Sequence, residues 1–200
     1  MQYEQDWAGI QRVARKNAIQ SNRPMAAYYA ISLVHTGQIA ERMYDIRLDY
    51  DSIFIHGHGG FISNGSPLYE PEGNYHAGFI EPCMHMCMEQ MVMEGPTSRL
   101  LKLLVKCSLM RDEWMLCRKY LRLLEDIPFE GKFIEKYQAM VEKPELINAD
   151  PEMARIRLFE PIHDCFENQF QQPFFMGYNL NLAEARSIEA LHNSLCVCLY

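Results

Sequence analysis

Residues 95–126, GPTSRLLKLLVKCSLMRDEWMLCRKYLRLLED, constrain the fold more than any other stretch of the chain. Leu100, Leu104 and Cys107 recur at i, i+4 and i+7, with Leu101, Val105 and Ser108 one step round. After a short polar turn, Cys117, Tyr120, Leu121 and Leu124 repeat the same periodicity. Apolar side chains spaced this way form a stripe along an α-helix. Two such helices joined by almost no linker bury their stripes only by packing antiparallel.

Similar patterns recur on both sides. Trp7, Ile10, Val13 and Ala14 give a first amphipathic helix, broken at Ser21–Pro24. Ala26, Tyr29, Ala30 and Leu33 place a second over about 24–36, ended by Gly37, and a third follows from Gln38 to about Ile46. Helices resume over 79–94, and another is expected from about 131 to 140. Thr97 and Gly131 begin comparable helices 34 positions apart, the period of tetratricopeptide-like repeats. Asp150 and Pro151 form a cap and first position for a helix over about 152–160, continuing past Pro161 to about Phe170. The expected fold is all-α: tetratricopeptide-like hairpins in a short right-handed α-solenoid, forming one domain over 1–200. Within it, 1–46 is a first helical repeat, 47–78 a long irregular loop and 79–200 further hairpins. The loop is assigned because 47–78 holds six glycines and two prolines and shows no helical period.

A net charge of −7 disfavours phosphate backbones and anionic lipid, so no nucleic-acid partner is expected. Lys102, Lys106, Arg111, Arg118, Lys119 and Arg122 alternate with apolar residues at helical spacing and read as a solvated helix face. No run approaches the ~20 apolar residues of a membrane span, so direct insertion by this segment is not expected. The seven cysteines form no CxxC pair and read as buried free thiols.

DWAGIQRVARKN, YYAISLVHTGQIAERMYDI and LCRKYLRLLEDIPF resemble the soluble C-terminal part of uncharacterised Bacteroides-type membrane proteins. In these a multi-span region precedes a tetratricopeptide-like tail. The resemblance implies a helical-repeat fold and a membrane-tethered parent; it implies no reaction. The Cys/Met/His-rich helix at 82–93 departs from the hairpin such proteins have there.

Two functional readings follow. The leading one is a non-catalytic scaffold or protein- and peptide-binding module, with Tyr28, Tyr29, Met84, Met88, Met91 and Trp114 as candidate partner contacts. It needs no cofactor and has no catalytic residue. The alternative is a metal-dependent enzyme or metal sensor on His56, His58 and His76, because an H-x-H pair on an extended segment puts both imidazoles on one side. The terminal segment, 182–200, runs in helical register with apolar residues on more than one face and no stop signal. The natural chain is therefore expected to continue, and this segment to self-associate.

Overall fold

The structure, a computed structural model, describes residues 5–17, 23–46, 66–160 and 186–192. Among these residues the regular elements are helical. They are α1 (Trp7–Lys16), α2 (Arg23–Thr36), α3 (Ile39–Arg42, extended by a 3-10 turn, Met43–Asp45) and α4 (Ser66–His76). There follow α5 (Ile80–Glu94), α6 (Ser98–Met110), α7 (Trp114–Glu125), α8 (Gly131–Glu142), α9 (Glu145–Ala149) and α10 (Pro151–Arg157). Each helix from α4 to α10 packs on the next in sequence, as do α1 on α2 and α2 on α3, while α2, α4, α6 and α8 also touch side by side.

The α6–α7 hairpin forms as its stripes require. Leu100, Leu104 and Cys107 are fully buried with Cys117 and Leu124, and the Thr97 hydroxyl caps α6 by accepting from the Leu100 N–H at 3.4 Å. Asp150 caps α10, its Oδ1 accepting from the N–H groups of Glu152 and Met153 at 3.1 and 3.0 Å.

Three helices end in the same way. The N–H of Gln38 reaches the Leu33 carbonyl at 3.0 Å, that of Phe79 the Asn74 carbonyl at 2.9 Å, and that of Glu113 the Ser108 carbonyl at 2.8 Å. Each six-residue closure has a left-handed residue inside it: Gly37 (φ 70°), Gly78 (φ 83°) or Asp112 (φ 58°). The chain thus reverses after α2, α4 and α6 by one local device.

The structure corrects the expected loop over 47–78. Residues 66–76 form α4 in spite of Pro71 inside it; residues 47–65 lie outside the described residues. Pro71 removes one helical hydrogen bond and Gly73 adds an entropic cost, but Glu72, Asn74, Tyr75 and His76 are buried against α2, α5 and α6. Tertiary packing overrides the weak local propensity. Between α8 and Asp150, where the periodicity assigns no helix, the chain adds the short helix α9. The continuation toward Phe170 lies outside the described residues, as does most of 182–200, of which 188–192 is helical.

The interior has two apolar clusters. One spans α4 to α10 around Leu104, Leu124, Met153 and Ile156. The other unites α1–α3 with Ala77, Phe79 and Phe159. Cys83, Cys87, Cys107 and Cys117 are buried free thiols, with the Cys83 and Cys107 sulfurs 3.5 Å apart. Burial pushes the Cys117 thiol up to about 12.

Candidate functional site: a charged cleft between α4, α6, α8 and α10

Helical register puts Arg99, Lys102 and Lys106 of α6 on one side, at i, i+3 and i+7. That side faces α4 and α8, and a cleft of about 220 Å³ opens along it. Glu72 and His76 come from α4, Phe133, Lys136 and Tyr137 from α8, Glu152 from α10, and Gln5 and Trp7 from the N-terminal edge.

Four ion pairs organise the cleft wall. Arg99 donates from Nη1 to both Glu72 oxygens at 2.9 and 2.8 Å, and from Nη2 to the Gln90 side-chain carbonyl at 3.0 Å. The ammonium groups of Lys102, Lys106 and Lys136 lie 2.6 Å from Glu130, Glu152 and Asp150. In every pair the cation is the more exposed partner: the basic side chains are 17–46% accessible and the acidic ones 3–11%. Lys102, Lys106 and Lys136 also lie 5.0–5.4 Å from the ring centres of Phe133, Tyr75 and Tyr137.

Two of the buried carboxylates respond oppositely to their surroundings. Burial pushes the Glu72 carboxyl above the usual range, against the lowering pull of Arg99. Burial acts the same way on Glu152, but the Lys106 charge and hydrogen bond outweigh it, with His35 and Lys136 adding to them, so its carboxyl lies below the usual range.

At the cleft's inner end, His35 Nε2 and His76 Nδ1 are 2.8 Å apart. The His35 ring stacks on Trp7 with centroids 4.2 Å apart and planes within 2°, while the His76 ring meets Tyr75 edge-on. Burial lowers the His35 pKa to about 4. Burial, reinforced by His35, holds His76 well below the ordinary imidazole range. Both rings are neutral at pH 7, one donating to the other.

Unfolding returns His35 to an ordinary value of about 6.5, so the unfolded chain binds the extra proton across the window from about pH 6.5 to 4. Stability contributed by the neutral pair is therefore present above that window and lost as pH falls through it. For His35 the loss is about 3 kcal/mol by pH 4. Glu72 opposes this trend while Glu152 and His76 add to it, and all three remain in a His35→Gln variant. Urea titrations at pH 7 and pH 4 are expected to show a markedly smaller loss in the variant. Equal losses would show that His35 is not the titrating group.

The residues proposed from sequence do not converge. Tyr29 is buried, its hydroxyl donating to the Arg42 carbonyl at 2.8 Å, and Met84 is buried in the first cluster. Neither presents a surface to a partner. Tyr28 is half-buried against the second cluster, and Met91 and Trp114 against the first. Met88 alone of the six is exposed. His76 belongs to the His35 pair, while His56 and His58 lie outside the described residues. Among the described residues no group of three His, Cys, Asp or Glu side chains is placed to hold a metal ion.

The reading of the basic residues also needs correction. Arg118, Lys119 and Arg122 are solvated on α7, but Lys102 and Lys106 are drawn into the cleft by carboxylates from elsewhere in the chain. The one available sequence signal was the i, i+3, i+7 register of Arg99, Lys102 and Lys106. Their partners, 27 to 46 positions distant, carry no local mark.

Fold and cleft together define an all-helical protein built from consecutive hairpins, with a cation-faced cleft on one side. The chain belongs to the family of unknown function DUF6057, whose model matches residues 1–200. No curated protein and no solved structure matches the chain. Among the described residues no helix is long and apolar enough to cross a membrane.

Proposed function

We propose that the protein is a non-catalytic helical-repeat scaffold that holds a protein or peptide partner. The supporting observation is the serial packing of α2, α4, α6 and α8 side by side, each but the last followed by a reversal of one type. The left-handed residues Gly78 and Asp112 stand 34 positions apart, the spacing of a tetratricopeptide-like repeat. A short right-handed solenoid accounts for this order, and such stacks offer long uninterrupted faces to partners. Fold-level analogy is the warrant for the functional step.

Exposed Met88 and Val92 support a partner face on α5. They are one turn apart and 41% and 88% exposed, with Met93 beside them at 66%. A membrane-tethered parent, as in the Bacteroides-type proteins it resembles, would put its own membrane region within reach of this face. Exposed Ile188 and Leu191 suit self-association through 182–200. A photo-crosslinking amino acid at Val92, introduced into the full natural protein in its own cells, is expected to give an adduct of defined mass. The same probe at solvated Lys119 serves as control. Adducts at neither position, or equally at both, would overturn the reading.

A further inference from the structure

We propose that the cleft between α4, α6, α8 and α10 is a binding site for a small phosphorylated molecule, independently of any protein partner held on α5. Three features lead to this. The first is composition: the cations of all four ion pairs line the cleft, whereas of their carboxylates only Glu72 and Glu152 do, each less exposed than the cation it holds. Long basic side chains commonly reach outward past their acids, but here four of them converge on one cleft in a chain of net charge −7.

The second is the occupancy of the acids. Asp150 already accepts from two backbone N–H groups. Glu130 accepts from the Ser98 hydroxyl, and Glu152 from the Gln5 amide at 3.2 Å. An ammonium carries three N–H donors, and the single carboxylate oxygen beside Lys106 or Lys136 does not use them all. The wall therefore offers donors rather than acceptors, which is the complement of an oxyanion.

The third is the kind of cation. Arg99, whose fork suits a planar carboxylate, spends Nη1 and Nη2 on Glu72 and Gln90. Beside it the cleft is lined by Lys102, Lys106 and Lys136, compact charges that suit a tetrahedral phosphate from several sides. Along α6, Lys102 and Lys106 stand about 6 Å apart by helical rise, and Lys136 approaches from α8. The volume, about 220 Å³, is below the roughly 300–1,000 Å³ of drug-sized sites. It suits one phosphoryl group on a small organic body, which Trp7 and Phe133 would flank.

The test is calorimetric titration of the whole protein with a hexose phosphate, inorganic phosphate and citrate at matched ionic strength. Lysine acetylation footprinting is read by mass spectrometry on the same samples. The hexose phosphate is expected to bind saturably, to bind at least tenfold more tightly than citrate, and to protect Lys102, Lys106 and Lys136 from acetylation. Lys136→Gln, at the most exposed of the four cations, is expected to weaken binding at least fivefold with an unchanged circular dichroism spectrum. Footprinting of wild type carries the same information should that variant fail to fold. Binding of inorganic phosphate alone, without preference for the ester, would overturn the organic part of the assignment. No saturable binding, citrate binding as tightly, or unprotected lysines would overturn the site.

Discussion

Gly78→Ala is expected to destabilise the protein by about 3–5 kcal/mol, whereas Gly95→Ala, strained but unobstructed, costs about 1–3 kcal/mol. Both glycines have positive φ, 83° and 85°, and Gly95, with ψ of 170°, lies in a region essentially reserved for glycine, so an L side chain is strained at either position. The surroundings differ. A Cβ on Gly78 would lie 2.4 Å from the Phe159 carbonyl carbon and 2.5 Å from the Glu160 nitrogen; at Gly95 nothing stands within 4 Å. The obstacle at Gly78 is backbone, which cannot swing aside as a side-chain tip can. Either the α4–α5 turn or the end of α10 must move, and with it the second core cluster through Phe79 and Phe159. Urea midpoints at constant slope measure the difference. Equal small losses at both positions would mean that the end of α10 does not rest on this turn.

The second large effect is expected at Glu152. Its carboxylate is buried and bonded to Lys106 at 2.6 Å. Glu152→Ala leaves that ammonium, itself mostly covered, without its counter-charge, for a loss of about 3–5 kcal/mol. Removing both charges as Glu152→Leu with Lys106→Met is expected to recover most of this, since the desolvation cost of the pair disappears with it. A double-mutant cycle measures the coupling directly. Additive losses in the double variant would show that the two side chains do not act as a pair.

What the sequence discloses and what it conceals follow one physical line. The α6–α7 hairpin was legible because each stripe is continuous and the turn between them is short. The cap at Asp150 was legible because capping depends on residues two or three apart, and Thr97 was legible as the start of α6. The helix α4 was hidden: Pro71 and Gly73 erase its period, and it stands on contacts with α2, α5 and α6 that no local window contains. The cleft was concealed for the same reason. Arg99 meets Glu72 from 27 positions away and Lys106 meets Glu152 from 46. Cations spaced at helical intervals look alike whether they meet water or a distant carboxylate. The buried Tyr29 and Met84 erred in the opposite sense, because an aromatic or thioether fills a core as readily as it lines a groove.

One contact made far along the chain sets when the molecule can be completed. Arg155 of α10 donates from Nε and Nη2 to the Val34 carbonyl at 3.0 and 2.8 Å, across 121 positions. Val34 is in the last turn of α2, where its carbonyl has no i+4 helical donor and accepts locally from the Gly37 N–H at 3.3 Å. At ribosomal rates of roughly 5–20 residues per second, α2 is made about 6–24 s before the guanidinium that ties it to α10. During that interval the early hairpins must persist on their own packing or wait on a chaperone. Docking of α10 on α2 is then a clasp between old and new chain, and a ribosome stalled before Arg155 leaves it undone.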